Sequence, residues 1–222
     1  MTPKIIHYCW FGPKKHPKMM LECISSWHKH LPEYHFILWN EQNSPMDVPF
    51  VKQAYSLKMY AFVSDYVRFW ALRNYGGIYL DTDMYVVKSF NTLLKDELFF
   101  AWENPLQNHI SCGVIGSTEK NSAIEEILKV YDGIKITKDN FSNYVVPRII
   151  TPILLKSENL EKVKLHPFSF FYPFPYEDRE KATNFKEYIK EDTYAVHLWN
   201  LSWFTWQLRL RELFKKYFRR FR

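Results

Sequence analysis

Apolar positions along the chain fall into short runs separated by longer mixed stretches, the pattern of strands and helices in alternation. Residues 4–10 read as a first strand, closed by Phe11, Gly12 and Pro13. Residues 19–28 have helical spacing, and residues 34–39 form a second apolar run that ends at Asn40. Strand, helix, strand predicts an α/β fold with a mostly parallel central sheet flanked by helices. One long helix is expected from about residue 51 or 54 to 74, stopped by Gly76. Gly77 leads into a short strand over residues 78–80, with Asp81, Thr82 and Asp83 at its end. Residues 98–102 and 114–115 read as strands, 122–131 as a helix and 194–198 as a last strand. The stretch 166–177, rich in proline and aromatics, reads as an irregular loop, and 86–98 has no clear period.

Composition adds limits. With 222 residues, 47% hydrophobic and 18% aromatic, the chain can build one sizeable core. The net charge of +6 sits in the last seventeen residues, which carry seven basic residues and one acid, so the rest is balanced and a nucleic-acid-binding body is not expected. Within that tail Trp206, Leu210, Leu213, Phe214, Tyr217, Phe218 and Phe221 recur at helical spacing. The division expected is a domain over 1–205 and a basic amphipathic helix over 206–222, suited either to an anionic membrane surface or to packing on the domain. Cys9, Cys23 and Cys112 are widely spaced and form no metal or disulfide pattern. There is no leader-like segment and no run long enough to span a bilayer, so the expected location is cytoplasmic, peripheral on the inner face of the membrane.

The chemistry concentrates after the Gly-Gly pair. On an extended segment Asp81 and Asp83 point the same way and present two hard carboxylate ligands, suited to Mn²⁺ or Mg²⁺. An ordinary acidic turn is the plainer alternative. Residues 61–72 are apolar nearly all round, yet contain Asp65 and Arg68 three apart on one face. They suit either a polar pocket that binds sugar hydroxyls or an intrahelical ion pair. Ligands of parallel sheets sit beyond the carboxyl ends of strands, where Trp10, Trp39 and Asn40 fall. Packing is the competing role for Trp10, and for His197 with its neighbour Trp199.

The block 60–68, followed by Gly76, Gly77, Ile78, Tyr79, Leu80, Asp81, Thr82 and Asp83, resembles the sugar-binding signature of glycosyltransferase family 32. That family includes the yeast initiating α-1,6-mannosyltransferase and bacterial capsule and lipopolysaccharide transferases. The block is also similar to the catalytic core of the large clostridial glucosylating toxins. The opening residues 3–12 and closing residues 197–203 match bacterial members. The resemblance implies a GT-A fold and a donor that is a UDP- or GDP-sugar. Carried across, Asp81 and Asp83 hold the metal and donor diphosphate, with His197 as third ligand. Asp65 and Arg68 bind the donor sugar, Trp10 stacks on the base, Tyr79 lies in the donor block, and Ser202 and Trp203 contact the diphosphate. Asn104, His109 and Ser111 are unassigned candidates on the acceptor side, where residues 111–113 take no recognised form.

The function expected is metal-dependent transfer of a sugar, with retention, from the nucleotide-sugar to an acceptor glycan or glycolipid, in capsule, lipopolysaccharide or other surface polysaccharide synthesis. No carboxylate is evident in the sequence for double displacement, so front-face attack assisted by the leaving diphosphate is the mechanism read. Two rivals stand. An aspartate-dependent phosphohydrolase also uses an Asp-x-Asp loop, though Tyr85 stands where that loop carries Thr or Val. A non-catalytic, membrane-associated module that binds nucleotide-sugar is the other.

Overall fold

A computed structural model describes residues 1–156 and 162–200. The expected tail helix over 206–222, and Ser202 and Trp203, lie outside the described residues. In chain order come β1 (Ile5–Cys9), α1 (Lys18–His30), β2 (His35–Trp39), α2 (Pro49–Ser56), α3 (Tyr60–Tyr75), β3 (Gly77–Leu80) and β4 (Met84–Val86). Then follow β5 (Leu98–Trp102), β6 (Ile110–Ser117), α4 (Ser122–Asp132), α5 (Val146–Leu154), β7 (Lys164–His166) and β8 (Ala195–His197).

Six strands form one sheet in the order β2-β1-β3-β6-β5-β7. β1 runs parallel to β2 and β3, β5 runs parallel to β7, and β6 alone opposes its neighbours. The sheet is therefore mostly parallel, as expected, and β1, β2, β3 and β5 all end on one edge. Alternation along the strands feeds two cores. Tyr79, Leu98, Phe100 and Ile115 pack under α2, α3, α4 and α5 on one face. Ile78, Leu80, Phe99 and Val114 pack on the other, against α1, a small β4–β8 ribbon and the aromatic segment around Phe171 and Phe174.

The single long helix expected over 51–74 is two helices, and the break has a defined cause. Met59 N–H donates to the Ala54 carbonyl and Lys58 N–H to that of Tyr55, both at 2.9 Å, with Lys58 at φ +59°. This is a Schellman closure, with lysine where glycine is usual. The segment 166–177 departs from expectation less, as short 3₁₀ turns over Phe168–Phe170 and from Tyr176 onward. The strand expected over 114–115 extends to Ile110–Ser117, while β4, β7 and α5 were not anticipated.

The turn from α3 into β3 is pinned from both sides. Gly77 has φ +102°, and a Cβ there would stand 2.7 Å from the Ile5 carbonyl oxygen of β1. His7 is fully buried, accepts from Trp39 Nε1 at 3.1 Å on Nδ1, and meets the Gly76 carbonyl at 2.7 Å through Nε2. Nδ1 is thus the acceptor and Nε2 the donor, so the ring is neutral. Burial holds its pKa down to about 4, against a smaller upward pull from the Gly76 carbonyl. Trp39, expected at the ligand edge, belongs to this clamp instead: its ring is buried and its N–H is spent on His7.

Two outcomes follow. Gly77→Ala lowers stability by about 1–3 kcal/mol, the cost of a strained backbone with a contact to relieve. Gly133→Ala, at ordinary φ with nothing nearer than 3.8 Å, leaves it nearly unchanged; paired thermal melts distinguish them. His7 binds a proton more weakly in the folded than in the unfolded chain. Its contribution is therefore present above the unfolded value and lost as pH falls from 6.5 toward 4. The stability gap between wild type and His7→Gln, from urea titrations, should shrink across that window.

Candidate active site at the carboxyl edge of the sheet

The buried face of α3 aims Asp65 and Arg68 across the sheet at the end of β3. Asp65 Oδ1 accepts from Arg68 at 2.7 Å, and both side chains are almost fully enclosed. Arg68 also donates to the Cys112 carbonyl at 2.8 Å and to the Ser64 carbonyl at 3.3 Å. Its guanidinium lies 4.5 Å over the Tyr79 ring and 3.4 Å from Asp81 Oδ1. Tyr79 Oη donates to the same Asp81 oxygen at 2.9 Å, and the Asp81 N–H donates to the Gly113 carbonyl at 2.8 Å. Residues 111–113, unassigned from sequence, thus supply backbone acceptors that seat both Arg68 and Asp81. Burial pushes the Asp65 carboxyl up to about 7, with Arg68 drawing it down and Asp81 pushing it up.

Asp83 is gripped from the opposite side. Its Oδ1 meets His197 Nε2 at 3.1 Å, and its Oδ2 accepts the Asn200 N–H at 2.7 Å. The β4–β8 ribbon makes this possible by pairing Met84 with His197. Burial works to raise the Asp83 carboxyl, but the His197 charge and the hydrogen bonds hold it below the ordinary carboxylate range. His197 is shifted upward: burial opposes its charge, and Asp83 outweighs burial. One ligand atom each from Asp81, Asp83 and His197 lie within 4.8 Å of one another. Two carboxylates and an imidazole are a donor set that fits a divalent ion such as Mn²⁺, and the buried His197 Nδ1 has no hydrogen-bond partner among the described residues. Sequence left His197 open between packing and ligation; here it joins the acidic pair.

The other expected residues divide. Trp10 is half-buried at the end of β1, its N–H donating to the Lys14 carbonyl at 2.8 Å and its ring edge-on to His16. Asn40 shapes the loop after β2, accepting the Gln42 N–H at 2.8 Å. Asn104 and His109 lie in the hairpin beyond β5, and Ser111 is buried beside Tyr172. One residue, Glu103, escaped the sequence reading, and Trp199, read beside His197 with packing as its competing role, packs on that ring. Glu103, half-buried at the carboxyl end of β5, feels the charge of His197, and burial raises its pKa. Trp199, at φ +53°, packs its ring 4.0 Å from that of His197 and donates its N–H to the Phe174 carbonyl. Position at the end of an apolar strand was the available signal for Glu103.

Residues 17–100 match the family described as glycosyltransferase sugar-binding region containing DXD motif. The match takes in Asp65, Arg68, Asp81 and Asp83, and bears out the resemblance read from the sequence. The chain is 30% identical over 152 residues to the mannosyl phosphorylinositol ceramide synthase CSH1 of Saccharomyces cerevisiae, covering 64% of this chain and 37% of that protein. It is 27% identical over 135 residues to the inositol phosphoceramide mannosyltransferase 3 of Schizosaccharomyces pombe, covering 57% and 36%. The chain therefore spans under two fifths of the length of these relatives. Among solved structures, the PaToxG glycosyltransferase superposes with TM-score 0.55 at 19% identity, over 72% of this chain and 73% of its own. The glycosyltransferase GlyE of Streptococcus pneumoniae TIGR4 superposes with TM-score 0.51 at 14% identity, over 97% and 64%. These likenesses bear out a glycosyltransferase fold of the GT-A type.

Tyr79→Phe removes the hydroxyl that holds Asp81 while keeping the ring beneath Arg68. Mn²⁺ affinity, followed by electron paramagnetic resonance, should fall about 10–100-fold, the usual cost of losing a ligand's hydrogen-bonded support, with the melting temperature little changed.

Proposed function

We propose that this chain, whose residues 17–100 carry the DXD sugar-binding region, is a divalent-cation-dependent glycosyltransferase that acts with retention on a nucleotide-sugar. The observation that carries the reading is the convergence of Asp81, Asp83 and His197 beside the buried Asp65–Arg68 pair. Asp81, Asp83 and His197 would hold the cation, which supplies charge to offset a departing diphosphate. The carboxyl edge of the sheet past β1 and β3 would take the donor, with the Trp10 face for the base and Asp65 and Arg68 for sugar hydroxyls. Arg68 stays charged in this setting and accepts no proton, so its part is electrostatic and positional. The C1–O bond to the diphosphate breaks and a bond from an acceptor hydroxyl to C1 forms on the same face. The proton of that hydroxyl passes to the departing diphosphate oxygen.

The names of the relatives favour a mannosyl donor and a lipid acceptor with a polar headgroup. GDP-mannose is accordingly the first donor to test, followed by UDP-hexoses. A thermal-shift screen of nucleotide-sugars with and without Mn²⁺ should show stabilisation that requires both. Asp81→Ala and Asp83→Ala should each abolish Mn²⁺-dependent release of nucleoside diphosphate, with circular dichroism close to wild type. Near-normal turnover in either variant would overturn the metal assignment. Binding of donor without any cleavage would point to a non-catalytic module, and release of phosphate from simple phosphoesters to a phosphohydrolase.

A further inference from the structure

Between β1 and α1 the chain makes a loop that begins with Trp10, and contacts at Gly12 help to fix its shape. Gly12 sits at φ +85°, where a Cβ would come within 2.4 Å of the Tyr60 ring. Its N–H donates to Glu41 Oε1 at 2.7 Å. The Tyr55 hydroxyl hydrogen-bonds to the same carboxylate, and the Tyr55 ring meets that of Tyr60 edge-on at 5.4 Å. The loop is thus clasped between the segment after β2 and the first residue of α3.

We infer that Gly12, Glu41 and Tyr60 form a positioning clasp that registers the Trp10 loop against α3, and so sets the span between a nucleoside and the sugar-binding pair. The inference rests on the donor reading above. Tyr60 opens the same helix that carries Asp65 and Arg68. At ~1.5 Å per residue these lie roughly 8–12 Å along the axis from Tyr60. A loop locked to Tyr60 is therefore locked at a fixed distance from the pair, across the ground a diphosphate must bridge. Glycine is needed because no other residue reaches this φ without strain and leaves room for the ring. Glu41 is exposed, so its hydrogen bond adds little to global stability and can be removed without unfolding the domain. The Trp10 backbone is tied to β2, its N–H donating to the Trp39 carbonyl at 3.0 Å, but its indole N–H donates to the carbonyl of Lys14, a residue of the loop itself. The clasp thus governs the indole through the loop that holds its N–H.

The test compares two probes on the full chain with Mn²⁺: nucleoside diphosphates (GDP and UDP) and inorganic pyrophosphate, by calorimetry. Pyrophosphate reads only the carboxylate centre, whereas the nucleotides also read the loop. Glu41→Ala and Gly12→Ala should each weaken the preferred nucleoside diphosphate at least tenfold and leave pyrophosphate within twofold. Glu41→Gln, which keeps a carbonyl oxygen for the Gly12 N–H, should restore nucleotide affinity. Unchanged nucleotide affinity in Glu41→Ala overturns the clasp, whatever the folding of Gly12→Ala. A parallel loss of pyrophosphate overturns it too, as does a wild type that binds nucleotide no better than pyrophosphate. A wild type that binds neither probe with Mn²⁺ instead defeats the donor reading itself.

Discussion

The Arg68 guanidinium is the centre on which the rest of the site depends. It is buried against Asp65, lies over Tyr79, reaches Asp81 and donates to the backbone of β6 at Cys112. Buried charge is expensive to desolvate, and a pair of this kind seldom stabilises a fold more than apolar packing would. Its benefit here is geometric. One planar cation fixes side chains from α3 and β3 and a carbonyl from β6 relative to each other, in a place where flexible contacts would let the carboxylates drift.

Asp83 needs a different support, because it points away from that cation toward the end of the described chain. The β4–β8 ribbon brings His197 and the Asn200 N–H to it across more than a hundred residues. Half of the site is therefore built locally, from α3 and β3, and half by a long-range pairing. The local half can form as soon as the helix packs on the sheet. The remote half requires the last strand, so the carboxylate centre is complete only when nearly all of the described chain has folded.

How much of this was legible in the sequence follows the same division. Asp65, Arg68, Asp81 and Asp83 stand in a compact pattern of buried helix, Gly-Gly turn and apolar strand, and side-chain periodicity exposes them. His197 was ambiguous because a histidine on an apolar strand serves packing as readily as ligation, and only pairing with Met84 decides where it points. Trp10 and Trp39 looked equivalent at the ends of neighbouring strands. One lies half-open at the edge and the other is turned into the core by His7. The break between α2 and α3 was hidden because a lysine occupies the left-handed position that a glycine would have announced. Residues 111–113 contribute through carbonyl oxygens, which every residue has, so no residue type marks them.

The balance of charge around the centre explains why these supports are needed. Asp65, Asp81 and Asp83 bring three acidic groups to a small enclosed volume, with Arg68 as the fixed cation and His197 as a titratable one. Burial already lifts Asp65 to about 7 and would lift Asp83 as well, were it not for His197 and the Asn200 N–H. At an effective dielectric of 20, like charges 4 Å apart repel by about 4 kcal/mol. The carboxylates therefore stay together only because each is held by a donor that cannot leave: Arg68 and Tyr79 for Asp81, the Asn200 backbone for Asp83. Carboxylates held together against their own repulsion make a negative centre that attracts cations and repels anions. Under the function proposed above, an anionic donor would therefore enter once positive charge is in place, and electrostatic complementarity, more than shape, would govern its binding at this edge of the sheet.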